Sequence, residues 1–125
     1  MDFAGTLVRA IDGDTVVLKL TKTYQTDIGF RIIMDHTATT EQHLRLVGIN
    51  TPEIEGEQKT AGLKAKAALE ALLSGKDLKV TTYKPDKYGR FLVDILVGKT
   101  NASLFMIEKG FASPYDGHGV KPIPA

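Results

Sequence analysis

The sequence predicts an α+β domain that is mainly β: a small closed barrel of about five strands, one long helix between the third and fourth, and a short C-terminal helix. Three observations carry this expectation. Short β-rich runs recur between Gly, Pro and Asp turn signals. One stretch of helical period interrupts them between residues 57 and 73. The 125 residues, 42% hydrophobic and 25% charged, suffice for one core and are too few for two independent domains.

Taken in order, Thr6–Ile11 and Thr15–Leu20 are β-rich and flank Asp12-Gly13-Asp14, a turn signal, so they predict a hairpin. Phe30–Met34 has strand composition, but Asp35–Gln42 is polar and reads as loop, which makes residues 21–42 an extended hairpin or a mobile loop. His43–Ile49 alternates apolar and other residues until Asn50-Thr51-Pro52-Glu53, where Pro ends a central strand. From Glu57 to Leu73, small or apolar residues at Ala61, Ala65, Ala68, Leu69, Leu72 and Leu73 follow a helical period, and Ser74-Gly75-Lys76 stops it. Asp77–Tyr83 and Phe91–Val97 predict two more strands, joined by the turn-forming residues 84–90. A second helix, capped by Thr100 or Asn101, runs to Gly110. Asn101-Ala102-Ser103 matches a glycosylation sequon, but its place at a helix start favours capping. Residues 113–125 read as an irregular tail, and the core as residues 6–116 of a single domain 1–125. A five-stranded OB-fold β-barrel is the natural candidate; the fold alone assigns no function.

Sixteen Lys and Arg against fifteen Asp and Glu leave a net charge of +1, which by itself gives no reason to expect a polyanion. The distribution is uneven: residues 1–57 hold nine acids and five Lys/Arg, residues 58–125 six acids and eleven Lys/Arg. The absence of Cys excludes disulfides, thiolate zinc sites and cysteine nucleophiles. The N-terminus has no basic segment followed by an apolar run, and no stretch nears the roughly 20 apolar residues that cross a bilayer. The expectation is a soluble, cytoplasmic monomer with no membrane partner.

Four segments place unusual polar residues beside strand ends: Asp12-Gly13-Asp14-Thr15, Arg45 with Asn50-Thr51-Pro52-Glu53, Asp86-Lys87-Tyr88-Gly89-Arg90, and Ala112-Ser113-Pro114-Tyr115. Separately each has a plain structural reading, since Asp and Gly are good turn residues and Asn-Thr-Pro-Glu can simply terminate a strand. Arg45 is harder to dismiss, because an unpaired charge in an apolar strand costs several kcal/mol and requires a partner or ligand. Together they contain the parts of phosphodiester hydrolysis: oxygen ligands for a hard cation such as Ca²⁺ or Mg²⁺, a carboxylate to activate water, and guanidiniums for charge on phosphorus.

Ile11-Asp12-Gly13-Asp14-Thr15, Leu44-Arg45-Leu46-Val47-Gly48-Ile49-Asn50-Thr51-Pro52-Glu53 and Asp86-Lys87-Tyr88-Gly89-Arg90, in that order, resemble the three signature segments of the staphylococcal nuclease family. Gly110-Phe111-Ala112 resembles a fourth. The resemblance implies an OB barrel with helices and a Ca²⁺-dependent nuclease acting on DNA and RNA with little sequence preference, leaving 3′-phosphate ends. It implies Asp14, Asn50 and the Thr51 carbonyl as metal ligands, Glu53 as the base or the residue orienting water, and Arg45 and Arg90 as the phosphate-binding arginines. Lys87 and Tyr88 match nucleotide-contacting positions, and Tyr115 an aromatic platform. The alternative is a catalytically weak or inactive nucleic-acid or protein-binding module.

Three departures from the family pattern stand out. Asn50 is neutral where the family has a carboxylate, which lowers the site's charge; Asp27, in Asp27-Ile28-Gly29-Phe30, is a candidate substitute acid. Asp14 and Arg45 are 31 positions apart, so residues 21–42 read as an insertion like that of phage-type or plasmid-type members. The sequence ends soon after the second helix, which leaves fewer basic residues for phosphate contact than in the secreted enzyme. His36, His43 and His118 read as solvated, and the helix bearing Lys59, Lys64 and Lys66 as an amphipathic surface helix.

Overall fold

A computed structural model of the chain describes residues 1–52, 54, 56–85 and 91–115. Its elements run β1 (Asp2–Ala10), β2 (Thr15–Gly29), β3 (Ile32–Leu46), β4 (Ile49–Asn50), a 3₁₀ turn (Gly56–Gln58), α1 (Lys59–Leu73), β5 (Leu78–Pro85), β6 (Phe91–Val97), β7 (Thr100–Asn101), α2 (Ala102–Glu108) and β8 (Ser113–Pro114). The hydrogen-bonded order is β3-β2-β1-β5-β6-β7, and β3 also pairs β6. Five strands, β1, β2, β3, β5 and β6, therefore close into a ring, as the mainly β prediction requires. The closing contact is a short parallel one, Leu44–Leu46 against Phe91–Val93.

The alternation in the sequence explains the core. Val16, Leu18 and Leu20 of β2 and Leu44 and Leu46 of β3 turn inward to meet Leu78, Val80, Val93 and Ile95. The helix closes one side with Ala65, Leu69 and Leu73, one face at helical spacing, and α2 adds Ala102 and Met106. Each large aliphatic side chain so buried contributes about 1.5–3 kcal/mol. Asn101 caps α2: its Oδ1 accepts the Leu104 N–H at 3.1 Å.

Two expectations are corrected. Asp35–Gln42 is strand rather than loop, because it lies in register along β2, with every second residue bonding across the hairpin: β2 and β3 pair from Thr15–Arg45 to Gly29–Ile32. Polarity misled here because cross-strand contacts between Thr, Gln and Asp side chains make a polar strand serviceable in solvent. The segment after α2 is not irregular throughout: Ser113–Pro114 pair with Ile49–Asn50, and the Tyr115 N–H donates to the Gly48 carbonyl at 2.9 Å. Residues 116–125 lie outside the described residues.

Candidate active site

The site forms where the hairpin's two strands meet the body. Asp14 ends the β1–β2 turn, and Arg45, on β3, stands beside Thr15 in the β2–β3 register. The Leu46 N–H donates to the Asp14 carbonyl at 2.8 Å, tying the strand to the turn through backbone. Gly13 is required for the closeness of this turn to α1: a Cβ there would lie 2.7 Å from the Ala65 Cβ and 2.9 Å from the Thr51 side chain.

Arg45 is the centre of the arrangement. Its Nη1 lies 3.0 Å from Asp14 Oδ2, and its Nη2 donates to the Ile49 carbonyl at 2.9 Å and to Asn50 Oδ1 at 3.2 Å. The partner demanded by an arginine in an apolar strand is thus Asp14, assisted by two neutral oxygens. The pair is almost fully buried. Asp14 Oδ2 also accepts the Thr51 N–H at 3.1 Å, and Oδ1 accepts the Thr15 hydroxyl at 3.1 Å. The Arg45 guanidinium lies 5.8 Å from the centroid of the Tyr115 ring, so this tyrosine walls the site.

Asp14, Arg45, Asn50, Thr51 and Tyr115 come together from three separate parts of the chain. Glu53, Lys87, Tyr88 and Arg90 lie outside the described residues. Asp27 does not substitute for the missing carboxylate: it sits thirteen residues along β2, roughly 40 Å away at strand rise, exposed, with Oδ1 accepting the Gly29 N–H at 2.8 Å. A short stretch of sequence bearing an acid gave no information about which end of a long strand it would occupy.

The acid that the sequence reading passed over is Asp12. Its Oδ1 accepts the Asp14 N–H at 3.0 Å; burial, then a side-chain hydrogen bond with the Asp14 carboxylate and that group's charge, outweigh this N–H and push the Asp12 carboxyl up to about 6. Asp14 moves the other way. Burial raises it, but the hydrogen bond with Asp12, the Arg45 charge and the Thr51 N–H outweigh burial and hold it below the usual carboxylate range. The signal was present in the first acid of Asp12-Gly13-Asp14, which turn chemistry alone had explained.

The oxygens gathered around the Arg45 guanidinium are the Asp14 carboxylate, the Asn50 amide oxygen and the Ile49 carbonyl, while Thr51 reaches Asp14 through its N–H. That chemistry fits a hard divalent cation, with one negative charge fewer than two carboxylates would give. Among the described residues no three His, Cys, Asp or Glu side chains converge on a metal position. Three buried polar atoms in this region, Asn50 Nδ2, Thr51 Oγ1 and Ser113 Oγ, have no hydrogen-bond partner among the described residues. Asn50 and Ser113 stand opposite each other in the β4–β8 pair. Unmet hydrogen-bonding groups at 1% exposure, as at Asn50 and Thr51, are costly and mark a place suited to a polar ligand.

No helix among the described residues is long and apolar enough to cross a membrane. Residues 43–122 match the staphylococcal nuclease homologue family. The chain is 28% identical over 123 residues to a protein of Escherichia coli O157:H7 named "Uncharacterized endonuclease", covering 98% of this chain and 67% of that one. It is 32% identical over 100 residues to "Probable staphylococcal-like nuclease CAN1" of Oryza sativa subsp. japonica, covering 77% of this chain and 29% of that one. It is 32% identical over 90 residues to "Staphylococcal-like nuclease CAN1" of Arabidopsis thaliana, covering 70% of this chain and 27% of that one. The chain thus spans about two thirds of the bacterial relative and less than a third of each plant relative. A match across residues 43–122, together with the Asp14–Arg45 arrangement that precedes and enters it, makes the chain a member of the staphylococcal nuclease homologue family.

Proposed function

We propose that the chain is a Ca²⁺-dependent nuclease that hydrolyses phosphodiester bonds in DNA and RNA with little sequence preference and leaves 3′-phosphate ends. The observation that carries the reading is the buried Arg45–Asp14 pair with the Asn50 and Thr51 groups converging on it. Arg45 offers a planar fork already aimed by three oxygen partners, and a phosphate oxygen competes for the same donors. A guanidinium moved from Asp14 and Asn50 to phosphate leaves those two oxygens free for a cation. Asp14, held ionised by its surroundings, Asn50 and the Thr51 carbonyl would hold Ca²⁺. The ion, when bound, supplies Lewis-acid polarisation of the phosphate.

Glu53 is assigned the proton of the attacking water, and Arg90 the second share of the charge that develops on phosphorus. Lys87 and Tyr88 are assigned to nucleotide phosphate, and Tyr115, beside Arg45, to the aromatic wall on which a base or sugar rests. Contacts of this kind fall on phosphate and ring faces rather than base edges, which is why little sequence preference is expected.

One observation favours a second reading, a binding module without catalysis: Asn50 lowers the charge available to a cation, and Arg45 already satisfies Asp14. Incubating the full chain with labelled single-stranded and duplex DNA and RNA in Ca²⁺ or EGTA, beside Glu53→Ala and Arg90→Ala, separates the two. Cleavage that needs Ca²⁺ and is lost in both variants supports the nuclease, and 3′-phosphate termini support the assigned bond. Nucleic-acid binding with no cleavage in any divalent metal supports the module.

A further inference from the structure

Beyond the body, the β2–β3 hairpin runs as a two-stranded ribbon. β1 accompanies β2 only as far as Thr21, and β6 accompanies β3 only over Leu44–Leu46. The two faces of the ribbon differ. On one, Thr21 and Thr39, Thr23 and Thr37, and Gln25 and Asp35 make cross-strand contacts at 3.5, 3.3 and 3.0 Å between side-chain polar atoms. On the other, Tyr24 stacks on His36 with ring centroids 5.0 Å apart, and Met34 and Ile32 continue the stripe toward the tip. Phe30 stands at the apex, 100% exposed, flanked by exposed Ile28 and Ile33. The turn is built from Phe30 and Arg31 at φ 51° and 63°, left-handed positions usually given to Asn and Gly.

On this face Tyr24, Ile28, Phe30, Ile32 and Met34 are each about half exposed or more, while Ile33 pairs with Asp27 on the threonine face. At about 200 Å² per residue the five present roughly 600 Å². That stands at the upper end of the largest apolar patch of a typical monomer, about 300–600 Å², and makes up most of the roughly 800 Å² per partner of a stable protein interface. A ribbon of two strands is at best marginally stable by itself in water, so a cover for this face also accounts for the ribbon's persistence.

The charge pattern selects the cover. Apart from Arg31 at the tip, the cation on this face is Lys22, whose Nζ is turned back to the Asp2 carbonyl at 3.3 Å and the Phe3 ring, so the stripe presents no row of cations for nucleic acid or an anionic lipid surface. Cross-strand pairing puts Asp35 and Glu41 on the threonine face, with Gln25 and Lys19 opposite them, so the apolar stripe between Tyr24 and Ile32 contains no carboxylate to desolvate. We propose that this apolar ribbon face is a homodimer interface in which two copies of the chain pack their ribbons antiparallel, face to face. The Tyr24–His36 stack is six residues from Phe30, roughly 20 Å at strand rise, so in this arrangement each Phe30 seats on the stack of the other copy. Such a contact is isologous: one patch with an aromatic stack at one end and a free aromatic ring at the other complements itself under a two-fold axis. The monomer expected from the sequence is the reading it displaces.

Sedimentation equilibrium of the full chain, without nucleic acid, tests this at concentrations up to about 100 µM, which covers the micromolar or tighter affinities of interfaces this size. The expected mass is twice 13.6 kDa, with association weakened at least about 30-fold in Phe30→Glu/Ile32→Glu and unchanged in Thr37→Glu on the opposite face. Circular dichroism of each variant confirms that these exposed positions leave the fold intact. A 13.6 kDa species throughout, a dimer indifferent to Phe30→Glu/Ile32→Glu, or a monomer that instead cosediments with neutral phosphatidylcholine vesicles through Phe30 overturns the proposal.

Discussion

The two ends of the β2–β3 hairpin invert the usual distribution of side chains. At its base, Asp14, Arg45 and Asn50 are buried polar groups inside an apolar body, each tied to named partners. At its tip, Phe30, Ile32, Ile33 and Met34 are apolar groups in solvent. Both departures are costly to a folded chain, by desolvation at one end and by exposed apolar surface at the other. In the readings proposed above, each is used by something outside the chain, a phosphate and cation at the base and a second copy at the tip.

The contrast predicts that the base is sensitive to single atoms and the tip is not. Arg45→Ala leaves the Asp14 carboxylate buried without its counter-charge and should lower unfolding free energy by about 3–5 kcal/mol, read by urea denaturation. A loss below about 1 kcal/mol would mean that the pair is not buried as described. Gly13→Ala pushes a methyl into Ala65 and Thr51 and should cost about 1–3 kcal/mol, with partial recovery in Gly13→Ala/Ala65→Gly.

These two effects also mark what could be read in advance. Strand periodicity and turn residues foretold the ring of strands, and α1 began within two residues of its expected start because Ala65, Leu69 and Leu73 share one face. Arg45 announced a buried partner by its place in an apolar strand, and the family motifs named Asp14. The polar half of β3 and the pairing of Ser113 with Asn50 were hidden, since both depend on which distant backbone arrives alongside rather than on local composition. Asp27 was misassigned for the same reason, and Asp12 was concealed by its competence as a turn residue.

Smaller effects sharpen the comparison. Asn50→Asp restores a second carboxylate and should raise Ca²⁺ affinity on the order of tenfold by calorimetry; equal affinity would remove Asn50 from the ligand set. At the tip, Phe30→Asn/Arg31→Gly gives the left-handed turn the residues it favours and should stabilise the chain by about 1 kcal/mol at low protein concentration, with cleavage unaffected. A loss of activity there would couple the two ends.

The smallest expected effect is a pH response remote from both. The Tyr83 hydroxyl donates to Asp94 Oδ2 at 2.8 Å, and that hydrogen bond, then the charge of Asp94, raises the phenol above its ordinary value. A pKa higher in the folded than in the unfolded chain contributes stability that is complete below about pH 10 and lost as pH rises through the folded value. Tyr83→Phe should therefore be slightly less stable than the parent at pH 8 and converge with it at higher pH, the difference staying small because the side chain is solvent-exposed.

The most direct test of the account is the turnover of Arg45→Lys on single-stranded DNA at saturating Ca²⁺, with stability monitored in the same sample. Lys keeps the charge that Asp14 requires but lacks the planar fork that would reach phosphate. The account predicts a folded protein whose kcat falls on the order of a hundredfold or more. A folded Arg45→Lys chain that cleaves at the parental rate would contradict it, and would leave Arg45 as a structural counter-ion of Asp14 alone.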